Sequence, residues 1–152
     1  VDGKQYVSIL VGFGGSMAAL GGPLSARHGW SYGAQTRRLV SFSLEGDAVL
    51  PPQAPPTIPQ PLISSDFVVD PQLAQSAAED YAPPCGWCHG PGGVSAGMAP
   101  DLRASAIPLS ADAFELVVRQ GSLQENGMPP FADLSDEQLE GLRHYIRAAA
   151  ER

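Results

Sequence analysis

The sequence predicts a small, mainly α-helical domain preceded by a short β segment and a proline-rich linker. Three observations support this prediction. Helix caps and apolar residues at helical spacing follow residue 70, six prolines fall between residues 51 and 61, and two apolar, β-branched runs precede residue 50. We therefore expect a β segment over residues 1–46, a linker over 47–69 and a helical domain over 70–152.

The length, charge and hydropathy of the chain exclude several classes of protein. The chain has 152 residues, enough for one ordinary domain, and a net charge of −7. A generic nucleic-acid binder would be positively charged, and a membrane span needs about 18 consecutive apolar residues, which the chain lacks. Because it begins at Val1 without a methionine, we expect a fragment or a processed product.

Two runs before the linker predict β-strands. One is Tyr6-Val7-Ser8-Ile9-Leu10-Val11, and the other, over residues 38–44, alternates apolar and polar residues. The glycine-rich stretch between them is predicted as a loop, and its Gly12-Phe13-Gly14-Gly15 lacks the Lys-Ser/Thr of a phosphate-binding loop. Two strands cannot bury a core alone, so this segment needs further strands or the second half of the chain.

The prolines between the β segment and the helices indicate a spacer. Proline fixes φ, removes a backbone donor and favours extended polyproline II. We interpret residues 47–69 as a semi-rigid linker, with a surface loop on one domain as the alternative. The prolines on which this interpretation depends are Pro51, Pro52, Pro55, Pro56, Pro59 and Pro61.

Three helices are predicted after the linker. The first begins with Asp70 as N-cap and Pro71 at the first position, and ends at Pro83-Pro84. The second is capped by Ser110 and the third by the capping box at Ser135, with a hydrophobic staple next to it. The apolar faces are predicted as Leu73, Ala74, Ala77 and Tyr81, then Phe114, Val117 and Val118, then Leu139, Leu142 and Ile146. So small a helical unit needs a metal or cofactor to complete its core.

The motif Cys85-Gly86-Trp87-Cys88-His89 indicates covalent attachment of haem. Two thiols at this spacing can bond both vinyl groups of one haem, and the adjacent histidine can then reach the iron. Three alternatives compete with haem c. A zinc site would need two more ligands, and only His28 and His144 remain as histidines outside the motif. A redox dithiol would need a βαβ unit, and a disulfide across two residues would stabilise little.

A second ligand to the iron is expected from one of three methionines. Met17 precedes the linker and is predicted to be a packing residue. Met98 follows His89 so closely that the chain would have little slack to pass round the haem edge. Met128 lies beyond a whole helix, in the stiff sequence Gly127-Met128-Pro129-Pro130, and is the favoured ligand. The alternative for each methionine is core filling.

Further residues are predicted to surround the haem. The carbonyl of Pro100 could accept a hydrogen bond from the second ring nitrogen of His89. Arg103 could pair with a haem propionate or lie in solvent. Tyr81 and Trp87 are predicted to pack beside the haem, or else to be ordinary core aromatics. His144 is predicted to be exposed on the last helix.

Residues 70–152 resemble a class I cytochrome c domain. The matching features are Tyr81 four residues before Cys85, the haem motif, the Pro100-Asp101-Leu102 loop, Met128-Pro129 and the capped last helix. The resemblance implies thioether attachment at Cys85 and Cys88 and axial ligation by His89 and Met128. It also makes Tyr81, Trp87, Pro100, Leu102 and Arg103 candidates for the haem pocket.

The whole chain resembles the C-terminal end of a quinohaemoprotein alcohol dehydrogenase. In that family an eight-bladed β-propeller, which holds pyrroloquinoline quinone (PQQ) and calcium, precedes a linker and a cytochrome c domain. Residues 1–46 resemble the last propeller strands, in Asp2-Gly3-Lys4-Gln5-Tyr6-Val7, the Gly12-Phe13-Gly14-Gly15 loop and Arg38-Leu39-Val40-Ser41-Phe42. The propeller's blade motif, calcium ligands, catalytic Asp and adjacent-cysteine disulfide are absent, so the resemblance implies that this segment alone does not oxidise alcohols.

The resemblance also implies a function in electron transfer. Electrons from PQQ would pass through the haem to a periplasmic acceptor, either a blue copper protein or another cytochrome c. With Lys4 the only lysine, we expect an apolar docking patch and not a lysine ring. A free-standing c-type cytochrome with an N-terminal β extension, or a zinc-stabilised module, would be the alternatives. Haem c is attached outside the cytoplasm, so we expect a periplasmic location.

Overall fold

The computed structural model describes residues 3–12, 21–55, 57–95 and 97–152. Eight helices and strands occur in these ranges: β1 (Val7–Val11), α1 (Pro23–Arg27), β2 (Arg38–Phe42), α2 (Pro71–Ser76), α3 (Ala78–Tyr81), α4 (Gly86–His89), α5 (Ala111–Val118) and α6 (Asp136–Ala150). Short 3-10 turns cover Pro91–Gly93, Leu102–Ala104, Ile107–Leu109 and Gln124–Asn126. No helix in the described ranges combines the length and apolar character needed to cross a bilayer.

The core of the helical unit is one apolar cluster, which we call the Tyr81 cluster. Its fully buried members are Tyr81, Phe114, Val118, Leu139, Leu142 and Ile146. They come from α3, α5 and α6, as the helical spacing predicts. Partly buried residues that pack against the cluster include Cys85, Leu102 and Met128. The predicted haem motif and both flanking loops therefore meet at the same core.

Side-chain caps mark the beginning of α2, α5 and α6. The Asp70 carboxylate accepts the backbone N–H groups of Gln72 and Leu73, and Pro71 occupies the first turn of α2. Ser110 caps α5 by accepting the N–H of Ala113. At α6 both bonds of the predicted capping box are present. The predicted first helix is divided at Ala77 into α2 and α3.

Helix α6 crosses α2 at a site where two backbones come close. A Cβ atom added to Gly141 would lie 3.0 Å from the Cβ of Ala77 and 3.5 Å from the carbonyl oxygen of Leu73. Glycine is favoured here because of this close approach and not because of its backbone angles. The crossing holds the first helix, and with it the haem motif, against the last helix.

The N-terminal segment forms a two-stranded antiparallel ribbon. Val7 pairs with Phe42 and Val11 with Arg38, which confirms both predicted strands with slightly shorter limits. Most of its large apolar side chains are exposed, Leu10 by 71% and Leu39 by 66%, and only Val40 is buried. The ribbon thus lacks a core of its own.

The stretch between the strands contains a helix that the sequence reading missed. We predicted a loop over these glycines, whereas α1 forms at Pro23, a residue suited to the first turn of a helix. Ser25 and Ala26 are buried on it. Several residues named in the predictions lie outside the described ranges. They are Asp2, the Phe13-Gly14-Gly15 part of the glycine loop, Met17, which was predicted to be a packing residue, and Pro56.

The last third of the predicted linker is attached to the helical unit. Leu62 donates its N–H to the carbonyl of Arg103 (2.9 Å) and accepts a hydrogen bond from Arg147 (3.0 Å). The centroid of the Phe67 ring lies 4.9 Å from that of the His144 ring. The described residues from 47 to 61 have no regular secondary structure. These contacts place residues 62–69 on the surface of the helices.

The prediction that His144 is exposed is wrong. The side chain is buried, and its Nδ1 accepts the backbone N–H of Asp70 at 2.9 Å. Its Nε2 lies 3.2 Å from Glu140, one turn earlier in α6. Phe67 and the start of α2 cover this side of α6, and helical periodicity alone could not reveal that cover.

Candidate haem site

The haem motif folds as a single helical turn. Cys85 is the N-cap of α4, and the N–H groups of Cys88 and His89 donate to its carbonyl at 3.2 and 2.9 Å. Both thiols are free, so they are available for thioether bonds. Burial, followed by the nearby Cys88 and Asp80, raises the pKa of Cys85 to about 11, which keeps this thiol protonated at neutral pH.

The imidazole of His89 is buried and held in one tautomer. Its Nδ1 lies 2.8 Å from the carbonyl oxygen of Pro100, as predicted. Because a carbonyl can only accept, the proton belongs on Nδ1, and Nε2 keeps the lone pair that binds a metal. Burial lowers the pKa of His89, although the Pro100 bond and the charge of Asp101 oppose this, so the ring is neutral at neutral pH.

Tyr81 joins the motif to the core. Its hydroxyl donates to the carbonyl of Gly90, immediately after the motif, at 2.7 Å. Burial raises the pKa of this phenol far above its usual range, so the group stays a neutral donor. The centroid of its ring lies 4.6 Å from that of the Tyr145 ring in α6. Tyr81 therefore fixes the end of α4 relative to the last helix.

The loop after Pro100 is organised by an ion pair. Arg103 donates through Nε and Nη2 to the two carboxylate oxygens of Asp101, at 3.1 and 2.8 Å. The same carboxylate accepts the N–H of Arg103, and Leu102 packs against the Tyr81 cluster. Arg103 thus already has a carboxylate partner, and its predicted pairing with a haem propionate stays a prediction.

The two methionines after the haem motif lie in different environments. Met128 is partly buried against the Tyr81 cluster, which Cys85 also contacts. Its backbone follows Gly127, whose φ of 94° is the left-handed conformation that favours glycine. Met98 is 39% exposed. Trp87 is 57% exposed, so its packing against haem also stays a prediction.

Two important residues escaped the sequence reading. Arg147 is only 3% exposed and donates to the carbonyls of Leu62, Leu102 and Arg103 at 3.0 to 3.1 Å. A weak signal existed, because position 147 borders the apolar stripe of α6. Ser95 is fully buried in the loop after the motif, and no periodicity or spacing marks it.

The donor set fits haem c better than the alternatives. Two free thiols one turn apart, a neutral imidazole with its Nε2 lone pair and a partly buried thioether are the groups that haem c attachment and ligation use. Within the described part of the chain, no three His, Cys, Asp or Glu side chains gather as a metal site, so the zinc interpretation lacks ligands there. The described strands form an antiparallel ribbon, and a βαβ redox unit is not present among them.

Comparison with known proteins supports this assignment. Residues 72–146 match the family model described as cytochrome c oxidase, cbb3-type, subunit III. The chain is 36% identical over 150 residues to the quinohaemoprotein alcohol dehydrogenase ADH IIB of Pseudomonas putida. It is 33% identical to the dehydrogenase subunit of the quinone alcohol dehydrogenase of Gluconobacter oxydans. Both matches cover 95% of this chain but 20% and 19% of the relatives.

Solved structures give the same result. The structure of ADHIIG from Pseudomonas putida aligns with a TM-score of 0.71 at 34% identity, and covers 99% of this chain and 21% of that protein. The quinohaemoprotein alcohol dehydrogenase of Comamonas testosteroni aligns with a TM-score of 0.60 at 29% identity, with the same shares covered. This chain therefore spans about a fifth of the length of these proteins.

Fold and site together define a c-type cytochrome domain, mainly helical, with a short two-stranded sheet before it. The haem motif, the buried histidine and the family match over residues 72–146 all lie in this domain. The chain is homologous to quinohaemoprotein alcohol dehydrogenases and matches about a fifth of their length, the C-terminal cytochrome part.

Proposed function

We propose that residues 70–152 transfer single electrons through a haem c held by Cys85, Cys88, His89 and Met128. The observation that carries this proposal is the buried His89 ring, whose Nδ1 is engaged by Pro100 while Nε2 keeps its lone pair. When bound, the haem supplies an iron that accepts and releases one electron at a time. The protein holds the group covalently, excludes water from it and sets its reduction potential.

Met128 is proposed as the second axial ligand. Its contact with the Tyr81 cluster favours it over Met98, which is substantially exposed. Pro129 follows it directly and restricts the backbone, so the thioether is held by a stiff loop. A thioether ligand raises the reduction potential of a haem, which suits an acceptor of electrons from an organic cofactor.

We further propose that this chain works within a longer periplasmic, PQQ-dependent alcohol dehydrogenase. The relatives named above support this proposal, because they are alcohol dehydrogenases and this chain corresponds to a fifth of their length. An upstream domain with PQQ and calcium would oxidise the alcohol, and residues 1–46 would complete its propeller. The cytochrome domain would pass electrons to a blue copper protein or another cytochrome c.

The linker in this arrangement is shorter than residues 47–69. Leu62 and Phe67 already contact the helical unit, which supports a spacer that ends near residue 61. Docking of the acceptor would use exposed apolar side chains, with Trp87, next to Cys88, as a candidate. The strongly acidic charge of residues 71–152 supports a docking surface without lysines.

Covalent attachment of haem tests the first proposal. The chain is secreted into a periplasm that contains a c-type cytochrome maturation system, then denatured and extracted with acidified organic solvent. We expect the haem to remain with the polypeptide, and Cys85→Ala or Cys88→Ala to leave a single thioether. Haem that is extracted completely from the wild-type chain, or zinc bound in its place, would contradict the proposal.

The axial ligand is tested with a matched pair of variants. Met128→Ala should abolish the thioether-to-iron charge-transfer band of the oxidised protein, whereas Met98→Ala should keep it. The reverse result would assign the ligand to Met98. The proposed place in an alcohol dehydrogenase is tested in the full-length protein, in which addition of a primary alcohol should reduce the haem.

A further inference from the structure

Ser95 lies at the centre of a buried hydrogen-bond network in the loop after the haem motif. It is 0% exposed, and its hydroxyl donates to the carbonyl of Ala99. The same oxygen accepts the backbone N–H of Tyr32 at 3.0 Å and that of Gly97 at 3.4 Å. Ser95 therefore joins the segment between the two strands to the loop that follows the haem motif.

The acceptor of the Ser95 hydroxyl is adjacent to the acceptor of the axial histidine. Ala99 immediately precedes Pro100, whose carbonyl lies 2.8 Å from Nδ1 of His89. Two consecutive carbonyls of one turn are thus held by different partners, one by Ser95 and the other by His89. The peptide unit between them is planar and the proline ring fixes φ of Pro100, so a shift of the Ala99 carbonyl also moves the Pro100 backbone.

A second contact joins the same two segments. A Cβ atom added to Gly22, just before α1, would lie 3.1 Å from Cδ of Pro91. Gly22 also has a φ of 45°, which disfavours other residues. The N-terminal segment therefore rests against the residues after His89 at two points, Gly22 on Pro91 and Tyr32 on Ser95.

We propose that Ser95 is a positioning residue for the axial ligand. It holds the Ala99–Pro100 turn so that the Pro100 carbonyl meets Nδ1 of His89, and it couples this turn to the N-terminal segment through Tyr32. The inference rests on the proposed role of His89 as ligand to haem iron. A hydrogen bond to the second nitrogen of a ligating imidazole raises its basicity, which favours the oxidised metal. A looser turn should therefore raise the reduction potential.

The test replaces Ser95 by alanine in the complete haem-loaded chain and uses two controls. Ser31→Ala removes a neighbouring buried hydroxyl that has no hydrogen-bond partner among the described residues. Ser135→Ala removes the cap of α6 and lowers stability at a site distant in sequence from His89. We expect Ser95→Ala to shift the reduction potential upward, and to speed exchange of the His89 Nδ1 proton about tenfold, if one hydrogen bond worth about 1.4 kcal/mol is lost.

The controls separate positioning from general stability. Both should leave the potential and the ring-proton exchange rate at their wild-type values, although Ser135→Ala unfolds more easily. An unchanged potential in Ser95→Ala would overturn the proposal, and so would an equal shift in Ser135→Ala. If the wild-type chain carries no covalent haem, the function proposed above fails, and this result is distinguishable because it is visible before any substitution is made.

A measurement on the wild-type chain covers the case in which Ser95→Ala does not fold. Hydrogen exchange of the Tyr32 amide and of the His89 ring proton is followed by NMR in the reduced protein. The proposal predicts that both protons are protected and that mild denaturant releases them together. A Tyr32 amide that exchanges freely while the histidine proton stays protected would refute the coupling.

Discussion

The crossing of α2 and α6 allows a quantitative prediction for Gly141→Ala. The new methyl group would lie 3.0 Å from the Cβ of Ala77, whereas carbon atoms in contact prefer about 3.5–4.0 Å. Replacing a helical glycine by alanine gains about 1 kcal/mol of helix propensity. Overpacking of a tight core costs about 1–3 kcal/mol, so we expect a net loss of about 1 kcal/mol.

A double-mutant cycle tests whether this steric contact is the cause. Ala77→Gly alone should cost about 2 kcal/mol, because a buried methyl is lost and the backbone gains freedom. In the double variant the methyl moves from one helix to the other and fills the same space, so its stability should be close to that of the wild type. The pair should therefore be more stable than the sum of the single effects by about 2–3 kcal/mol.

Denaturant unfolding of the haem-loaded protein, followed by far-ultraviolet circular dichroism, measures these differences. The midpoint should change and the slope should not, since the surface exposed on unfolding is nearly the same. Additive single effects, within about 0.5 kcal/mol, would show that the two residues do not meet and would refute the reasoning. A Gly141→Ala variant more stable than the wild type would do the same.

Three further predictions concern stability. Arg147→Met keeps the length of the side chain but removes the guanidinium donor of the Leu62 carbonyl, while the Leu102 carbonyl keeps the N–H of Ser105. Thermal and denaturant unfolding should therefore show a loss of about 2 kcal/mol. A loss below about 1 kcal/mol would mean that water replaces the guanidinium. Tyr81→Phe removes the buried hydrogen bond to the Gly90 carbonyl and should lower the free energy of unfolding by about 1–2 kcal/mol in the same assay. The axial-ligand bands of the haem spectrum should stay unchanged. Loss of those bands would give Tyr81 a direct role at the iron. Ser135→Ala should cost about 1 kcal/mol through loss of the α6 cap, and an unchanged midpoint would show that the capping box contributes nothing measurable.

Much of the helical unit could be predicted from the sequence because its signals are local. A cap needs only a side chain two or three residues from the amide it accepts, as at Asp70, Ser110 and Ser135. The buried stripe of α6 follows from helical periodicity. The haem motif is equally local, since two thiols and an imidazole on one helical turn are its whole content.

Other features have no decisive signal in the sequence. His144 is buried because Phe67 and the start of α2 cover it, and neither is near it in sequence. Arg103 pairs with Asp101, and an arginine two residues after an acid has many other possible partners. Helix α1 forms in a stretch whose glycines predicted a loop.

The sequence by itself therefore determined the class of this protein, because covalent attachment of haem requires a short and specific motif. It also determined where α2, α5 and α6 begin, since caps act over three residues. Only the tertiary structure decided which side chains are buried around that motif, which carbonyls Arg147 and Ser95 hold, and where the linker meets the helices. The physical reason is that the bonds of Arg147, and the bond that joins Ser95 to Tyr32, connect residues between 44 and 85 positions apart, so they form only when distant segments have packed together.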